Sequence, residues 1–268
     1  SVWQLSRSRY IEYGTERSPK KWRRKGFTEM FEGSPKLATM RSPGAFPRTF
    51  LDTENGYFNE SAIGFKRWID LKGIENNSLS KAYETPEDRA NYENLSEGYS
   101  YLFLLGLFNS ALFRYELNTN RRSNIHIYPD DWKRLLLPVL DSEEKKNLAE
   151  QLSDFADKML SLNKDLQAKR TRFLRRLQDN LPEVKITGTL ETFDSLDFAG
   201  FVAELKKQKI KLSLVQQDEW EEYFNAYKTE CLSIKTEIEN TDKEIDKMVY
   251  ELYGLSEDEV KVVEGNTK

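Results

Sequence analysis

The residues with the clearest chemical potential in this 268-residue chain are cations. Pro19-Lys20-Lys21-Trp22-Arg23-Arg24-Lys25-Gly26 sets five positive side chains around one indole, in a stretch without strand or helix periodicity. A loop of that composition can reach backbone phosphates, its ring free to pack or to stack on a base. A targeting tract is the other reading of such a run. Arg41 and Arg48 flank Ser42-Pro43-Gly44, so their side chains project from more rigid strand ends. A guanidinium held there can take guanine's major-groove edge in a bidentate way, or it can cap and pair with nearby acids. Lys36, at the start of the strand Lys36–Arg41, and Arg121 and Arg122, in the loop from Asn118, complete the candidate polyanion-binding set.

Other chemistry is harder to find in the sequence. There is no Gly-rich phosphate loop, no nucleophile elbow and no Asn/Asp-Pro-Pro-aromatic turn of the methyl-transfer type. Pro129-Asp130-Asp131-Trp132-Lys133 has the acids and lysine of a metal-dependent nuclease. Its acids are adjacent instead of on successive strands, so they are not expected to share a metal. His126 is the one histidine, in the expected strand Asn124–Tyr128, and cannot build a metal site alone. Cys231, the one cysteine, excludes an internal disulfide and fits a reducing cytoplasm. No catalytic or metal-binding residue is therefore expected.

Charge is distributed unevenly behind the net value of −4. Residues 1–140 carry 21 Lys and Arg against 17 Asp and Glu, whereas residues 141–268 carry 20 against 28. A basic amino-terminal part attached to an acidic remainder suggests a polyanion-binding head, although solvated basic loops give the same imbalance. The longest apolar run, Tyr101–Phe108, is far shorter than a membrane span, and no signal-peptide pattern opens the chain. The first residue is serine, so a fragment or a processed chain is expected.

The elements that must carry the cations are read from periodicity. Tyr10–Gly14, Lys36–Arg41 and Phe46–Asp52 are strand-like, with turns at Ser42-Pro43-Gly44 and a hairpin signal at Glu54-Asn55-Gly56. A short helix should start at Thr85 with Pro86 in its first turn. Tyr99–Leu117 is apolar all round and predicts one helix plugging the head, with Asn109 and Ser110 in structural hydrogen bonds.

Beyond the head, apolar positions alternate by fours and threes. They run Trp220, Phe224, Tyr227, Cys231, Ile234, Ile238, Thr241, Ile245, Met248, Leu252 and Leu255. The same rhythm runs through Leu148, Leu152, Phe155, Met159, Leu162, Leu166, Phe173 and Leu177, with Lys169 out of phase. That period of about 3.5 winds a coiled-coil seam. It places Cys231 in a buried apolar role and Thr241 in a register-setting one. Pro182 stops the first helix, and Ser256–Glu259 caps a short last one. The predicted class is α+β. A β-rich head with a buried helix spans 1–140, and a long antiparallel two-helix coiled coil spans 141–268. Its helices cover about 142–180 and 217–254, with a small helical tip at 181–216, where Lys206, Lys207, Lys209 and Lys211 touch phosphate or a partner or form a solvated face.

The run Phe198–Ser213, the run Glu219–Phe224 and above all Glu244–Val260 resemble the carboxy-terminal part of single-chain (type IIG) restriction-modification enzymes. Tyr10–Gly14, Phe31 with Pro35-Lys36-Leu37, and Leu104–Ser110 are similar to the TaqI-like specificity domain of that family. The resemblance implies a target-recognition domain and helical spacer, the parent chain being a site-specific adenine-N6 DNA methyltransferase and, in some members, an endonuclease. It implies double-stranded DNA as partner, a methyltransferase domain in cis or a subunit in trans, no membrane, and a cytoplasmic location. No cofactor is expected in this stretch; S-adenosylmethionine, and magnesium where a nuclease is present, belong to the parent. The alternatives are a stand-alone specificity subunit or coiled-coil adapter acting in trans, and an interaction coiled coil whose basic head binds no DNA.

Overall fold

A computed structural model describes residues 28–33, 35–42, 48–58 and 61–265. Along the chain run β1 (Lys36–Met40), β2 (Thr49–Asp52), β3 (Ala62–Phe65), α1 (Pro86–Glu97), α2 (Tyr101–Asn109), α3 (Ala111–Asn120), the one-turn α4 (Pro129–Trp132), α5 (Glu143–Asn180), the short α6 (Gly188–Glu191), α7 (Phe198–Lys207), α8 (Leu214–Tyr253) and α9 (Glu257–Gly265). The class is α+β: mostly helix, with one small antiparallel sheet. The expected strand Tyr10–Gly14, the basic loop Lys20–Lys25 and the Pro43-Gly44 part of the expected turn lie outside the described residues.

The chain forms two compact units, residues 1–158 with 242–268, and residues 159–241. The expected division fell at 140/141. It moves because the start of α5 and the end of α8 belong to the first unit. Gly106 is one reason: a Cβ there would lie 3.2 Å from Leu152 Cγ, so glycine lets α5 approach α2 closely.

In the first unit the sheet order is β2-β1-β3, with Lys36 opposite Asp52 and Leu37 opposite Phe65. The head is less β-rich than expected, since three short strands are all it holds among the described residues. Glu54-Asn55-Gly56 turns the chain but makes no hairpin: β3 crosses to the other edge of β1. Asp52 shapes that turn by accepting from the Glu54 and Gly56 N–H groups, and Asn55 takes a φ of 56°.

The single plug helix is in fact two, α2 and α3. Ser110 leaves the helical region at ψ 159° and caps α3 by accepting from Phe113 N–H. Asn109 is buried and bonds both the N–H and the carbonyl of Thr49, tying α2 to β2. Thr85 opens α1 in a reciprocal capping box with Asp88. Asn124–Tyr128 is not a strand; Ile127 N–H donates to Arg41 O at 2.8 Å as an isolated contact.

The second unit is built on aromatic rings. Phe173 of α5 stacks on Phe193 with centroids 3.8 Å apart and lies near Trp220, Tyr223, Phe224 and Tyr227 of α8. Lys169, out of phase with the apolar rhythm, pairs with Glu230 on α8. Earlier residues of α5 thus meet later residues of α8, an antiparallel contact. Arg170 makes two 2.7 Å bonds to the buried Asp194, which Lys235 also meets. Burial pushes the Asp194 carboxyl up, but the two cations outweigh it and hold it below its ordinary range. Cys231 is buried, and burial pushes its thiol up to about 11, away from the nucleophilic thiolate. After α7, Lys209 takes the left-handed position at φ 65°, so that Ile210 N–H can reach Leu205 O.

Candidate nucleic-acid interface

The two ends of the three-stranded sheet treat their cations differently. At the β1 start, Lys36 is fully buried, 2.6 Å from Asp52, and donates to Phe31 O at 2.7 Å. The expectation of a DNA contact at Lys36 is therefore wrong. The register puts it directly across from Asp52, and its ammonium is used inside the protein. Lys66, at the same end, donates to the Glu32 and Gly33 carbonyls; burial, then the Lys36 charge, lowers its pKa.

At the opposite end, β1 runs into Arg41 and β2 begins just after Arg48. Arg41 is held on three sides. Its N–H donates to Ser61 O, its carbonyl accepts from Ile127 N–H, and its guanidinium lies 4.7 Å from the Tyr128 ring centroid. Cation–π stacking at a partly buried site contributes on the order of 1 kcal/mol and fixes the side chain's direction. Arg48 is exposed and makes no ion pair among the described residues; its backbone carbonyl accepts from Thr39 Oγ1 at 2.7 Å. Ser42 Oγ and His126 Nδ1 are 2.7 Å apart, joining the start of the β1–β2 connection to the segment that carries Tyr128.

Arg121 and Arg122 follow α3. Arg121 is half-buried, with Nε and Nη1 buried and lacking hydrogen-bond partners. Arg122 is exposed, its Nη2 3.4 Å from Asp130 and its Nε 3.8 Å from Asp131. The open pair with Asp130 contributes about 0–1 kcal/mol, so Arg122 can exchange that carboxylate for a phosphate at small cost, whereas Asp131 is a buried partner. Asp131 connects the two groups of arginines: its Oδ2 accepts from Tyr128 N–H at 2.8 Å, and Tyr128 carries Arg41.

Of the ten candidate cations, the structure brings Arg41, Arg121 and Arg122 to the 121–132 segment and sets Arg48 at the adjoining strand end. It removes Lys36; Lys20, Lys21, Arg23, Arg24 and Lys25 lie outside the described residues. The sequence pattern does not reveal Tyr128 as the support of Arg41, because that contact joins residues remote in sequence, whereas the bond from Tyr128 N–H to Asp131 is a local one beside Pro129. Asp130 and Asp131 face arginines, and among the described residues no cluster of acids, histidine or cysteine is spaced to hold a metal. Nor is any described helix long and apolar enough to cross a membrane.

This geometry offers the guanidinium groups of Arg41, Arg48 and Arg122, able to bind phosphate oxygens or acceptors on a base edge. Residues 143–249 match the model of a family described as a domain of unknown function (DUF8810), a match covering α5 to most of α8 and none of the sheet. No curated protein and no solved structure matches the chain.

Proposed function

We propose that the first unit binds double-stranded DNA through the Arg41–Arg48 end of its sheet, as the target-recognition part of a restriction-modification DNA adenine methyltransferase. The observation carrying this reading is the contrast between the exposed Arg48, beside an Arg41 pre-aimed by Tyr128, and the internally satisfied Lys36. Arginine fits the role because its planar fork matches both phosphate and the guanine edge. Phosphate contacts from Arg122 and from the basic loop would set the register, while the more rigid pair would read bases. The methylated adenine would be flipped into a catalytic domain outside this chain.

The helices α5 and α8 are proposed to pair as an antiparallel coiled coil that keeps a fixed spacing between recognition and catalysis. Support comes from the four-three rhythm: every seam position from Trp220 to Leu255 is buried or half-buried, and so is each one from Leu148 to Leu177. A second reading, an adapter that recruits catalytic subunits in trans through its helices, is favoured by one observation. The family match covers the helical region and leaves out the head.

The test is selection of duplexes from a random-sequence pool by the purified chain. Enrichment of one discrete motif is expected, and a pool that stays flat contradicts recognition. Incubation of the chain alone with labelled S-adenosylmethionine and the enriched duplex should transfer no methyl group.

A further inference from the structure

The tip of the second unit, where α7 ends and α8 begins, presents side chains that the unit itself does not use. Leu214 and Val215, the first residues of α8, are 80% and 67% exposed. Single exposed apolar side chains are ordinary; this pair differs in what flanks it. Lys209 and Lys211 stand before it, in the connection leading into α8. Asp218 and Glu222 follow it, four and eight residues after Leu214 and therefore on the same face of the helix. That face is turned away from the core side of α8, where Trp220 and Phe224 are buried. All four charged residues are exposed, and none makes an ion pair among the described residues. Lys207, by contrast, is engaged by Glu204 of its own helix at 2.6 Å.

The backbone carrying these side chains is held on both sides of the apolar pair. Gln208 accepts from Lys185 N–H and donates to Lys185 O. At the start of α8 the Ser213 N–H donates to Gln216 Oε1, and Gln216 N–H donates back to Ser213 Oγ. Gln217 Nε2 donates to Leu212 O at 3.1 Å. The charges are thus presented by a fixed connection and a capped helix.

A surface made for a foreign polyanion carries one sign of charge. Here the order is cations, an apolar centre, then anions, and a surface of that order is complementary to itself after a half-turn. Such self-complementarity is what a two-fold contact requires. We propose that this tip is a dimer contact whose occupant is a second copy of the chain. Leu214 and Val215 of the two copies cover each other at the axis, and Lys209 and Lys211 of each copy face Asp218 and Glu222 of the other. Two apolar residues a side make a small core, so the contact belongs to the weak, transient class, with charge setting its register. The dimer does not rest on the DNA reading; on that reading it gives one particle two recognition heads.

The test is sedimentation equilibrium of the 268-residue chain without DNA, between about 10 μM and about 1 mM. A monomer–dimer equilibrium that weakens with added salt is expected. Lys209→Glu with Lys211→Glu makes the charged flanks wholly acidic, and Asp218→Lys with Glu222→Lys makes them wholly basic. Each double variant alone should dimerise more weakly by about tenfold or more, and an equimolar mixture of the two should recover the dimer. Leu214→Ser with Val215→Ser, at exposed positions, should also weaken it and carries the test if a charge variant fails to fold. A wild-type chain that stays monomeric throughout, dimers that persist unchanged in the folded variants, or a mixture of charge variants that stays monomeric would each overturn the proposal. Because no duplex is present, none of these outcomes bears on DNA recognition, and a flat pool in the duplex selection would leave the dimer standing.

Discussion

The two ends of one small sheet, about 14 Å apart at the usual rise per strand residue, show how little a cation's position in sequence says about its availability. Lys36 at one end is buried, ion-paired and hydrogen-bonded. Arg48 at the other is exposed and unpaired among the described residues, beside an Arg41 stacked on Tyr128. Both Lys36 and Arg48 stand at strand starts in a basic stretch. The difference lies in what the register places opposite them: an aspartate in one case, a strand terminus in the other.

The largest effect is expected at the closed end. Lys36→Ala leaves Asp52 buried without its counter-charge, which should cost about 3–5 kcal/mol, read as a fall in urea midpoint. A midpoint within experimental error of wild type would mean the closed end is not closed.

Asp246 offers an intermediate case, a half-buried charge with loose pairing. Its Oδ1 accepts from Ala111 N–H at 2.7 Å, but Arg114 is 3.8 Å away and also faces Asp242. Burial, with Asp242 and Glu264 adding repulsion, pushes its carboxyl up to about 6. A carboxyl raised in the folded state holds its proton there and loses it on unfolding. Its charge therefore opposes folding above about pH 6, and that opposition fades as pH falls from 7 toward 4. Asp246→Asn keeps the acceptor for Ala111 and removes the titration. It should melt higher than wild type at pH 7, by no more than about 3 kcal/mol, and converge with it near pH 4. Parallel melting curves for the two proteins across pH 4–7 would mean that Asp246 carries no such linkage.

At the open end, Arg48→Ala and Arg41→Ala should reduce discrimination between sites by about 1–3 kcal/mol. Arg48→Ala should leave melting unchanged, while Arg41→Ala should also lose its stacking on Tyr128. The smallest effect belongs to the basic loop. Lys20→Ala with Lys21→Ala should weaken all duplexes alike and flatten the log–log salt dependence by roughly one unit per lost phosphate contact. A changed sequence preference in that double variant would contradict the division of roles.

Periodicity makes the helices legible. α5 and α8 lie within three residues of their expected bounds, and even the out-of-phase Lys169 has a reason in its pair with Glu230. A local signal also marks the Thr85 cap. Positions 36 and 52 are equidistant from Gly44, so hairpin symmetry by itself pairs Lys36 with Asp52, a signal that the count of cations along the chain overlooks. Contacts between distant segments are not legible. Tyr128 under Arg41, Asn109 on Thr49, and β3 crossing to the far edge of β1 all depend on how separate segments pack. Ser110 reads in sequence as a hydrogen-bonding interruption, yet it is strong enough as a cap to split the plug helix in two.

The most direct measurement is competition binding of wild type, Arg48→Ala and the Lys20→Ala, Lys21→Ala double variant. Each is titrated against the pool-selected duplex and a scrambled one over a range of salt. Arg48→Ala should lower the selected-to-scrambled affinity ratio by about 5- to 150-fold at unchanged melting temperature, while the loop variant lowers both affinities and keeps the ratio. A ratio preserved in Arg48→Ala and lost in the loop variant would contradict the assignment of base reading to the rigid arginines.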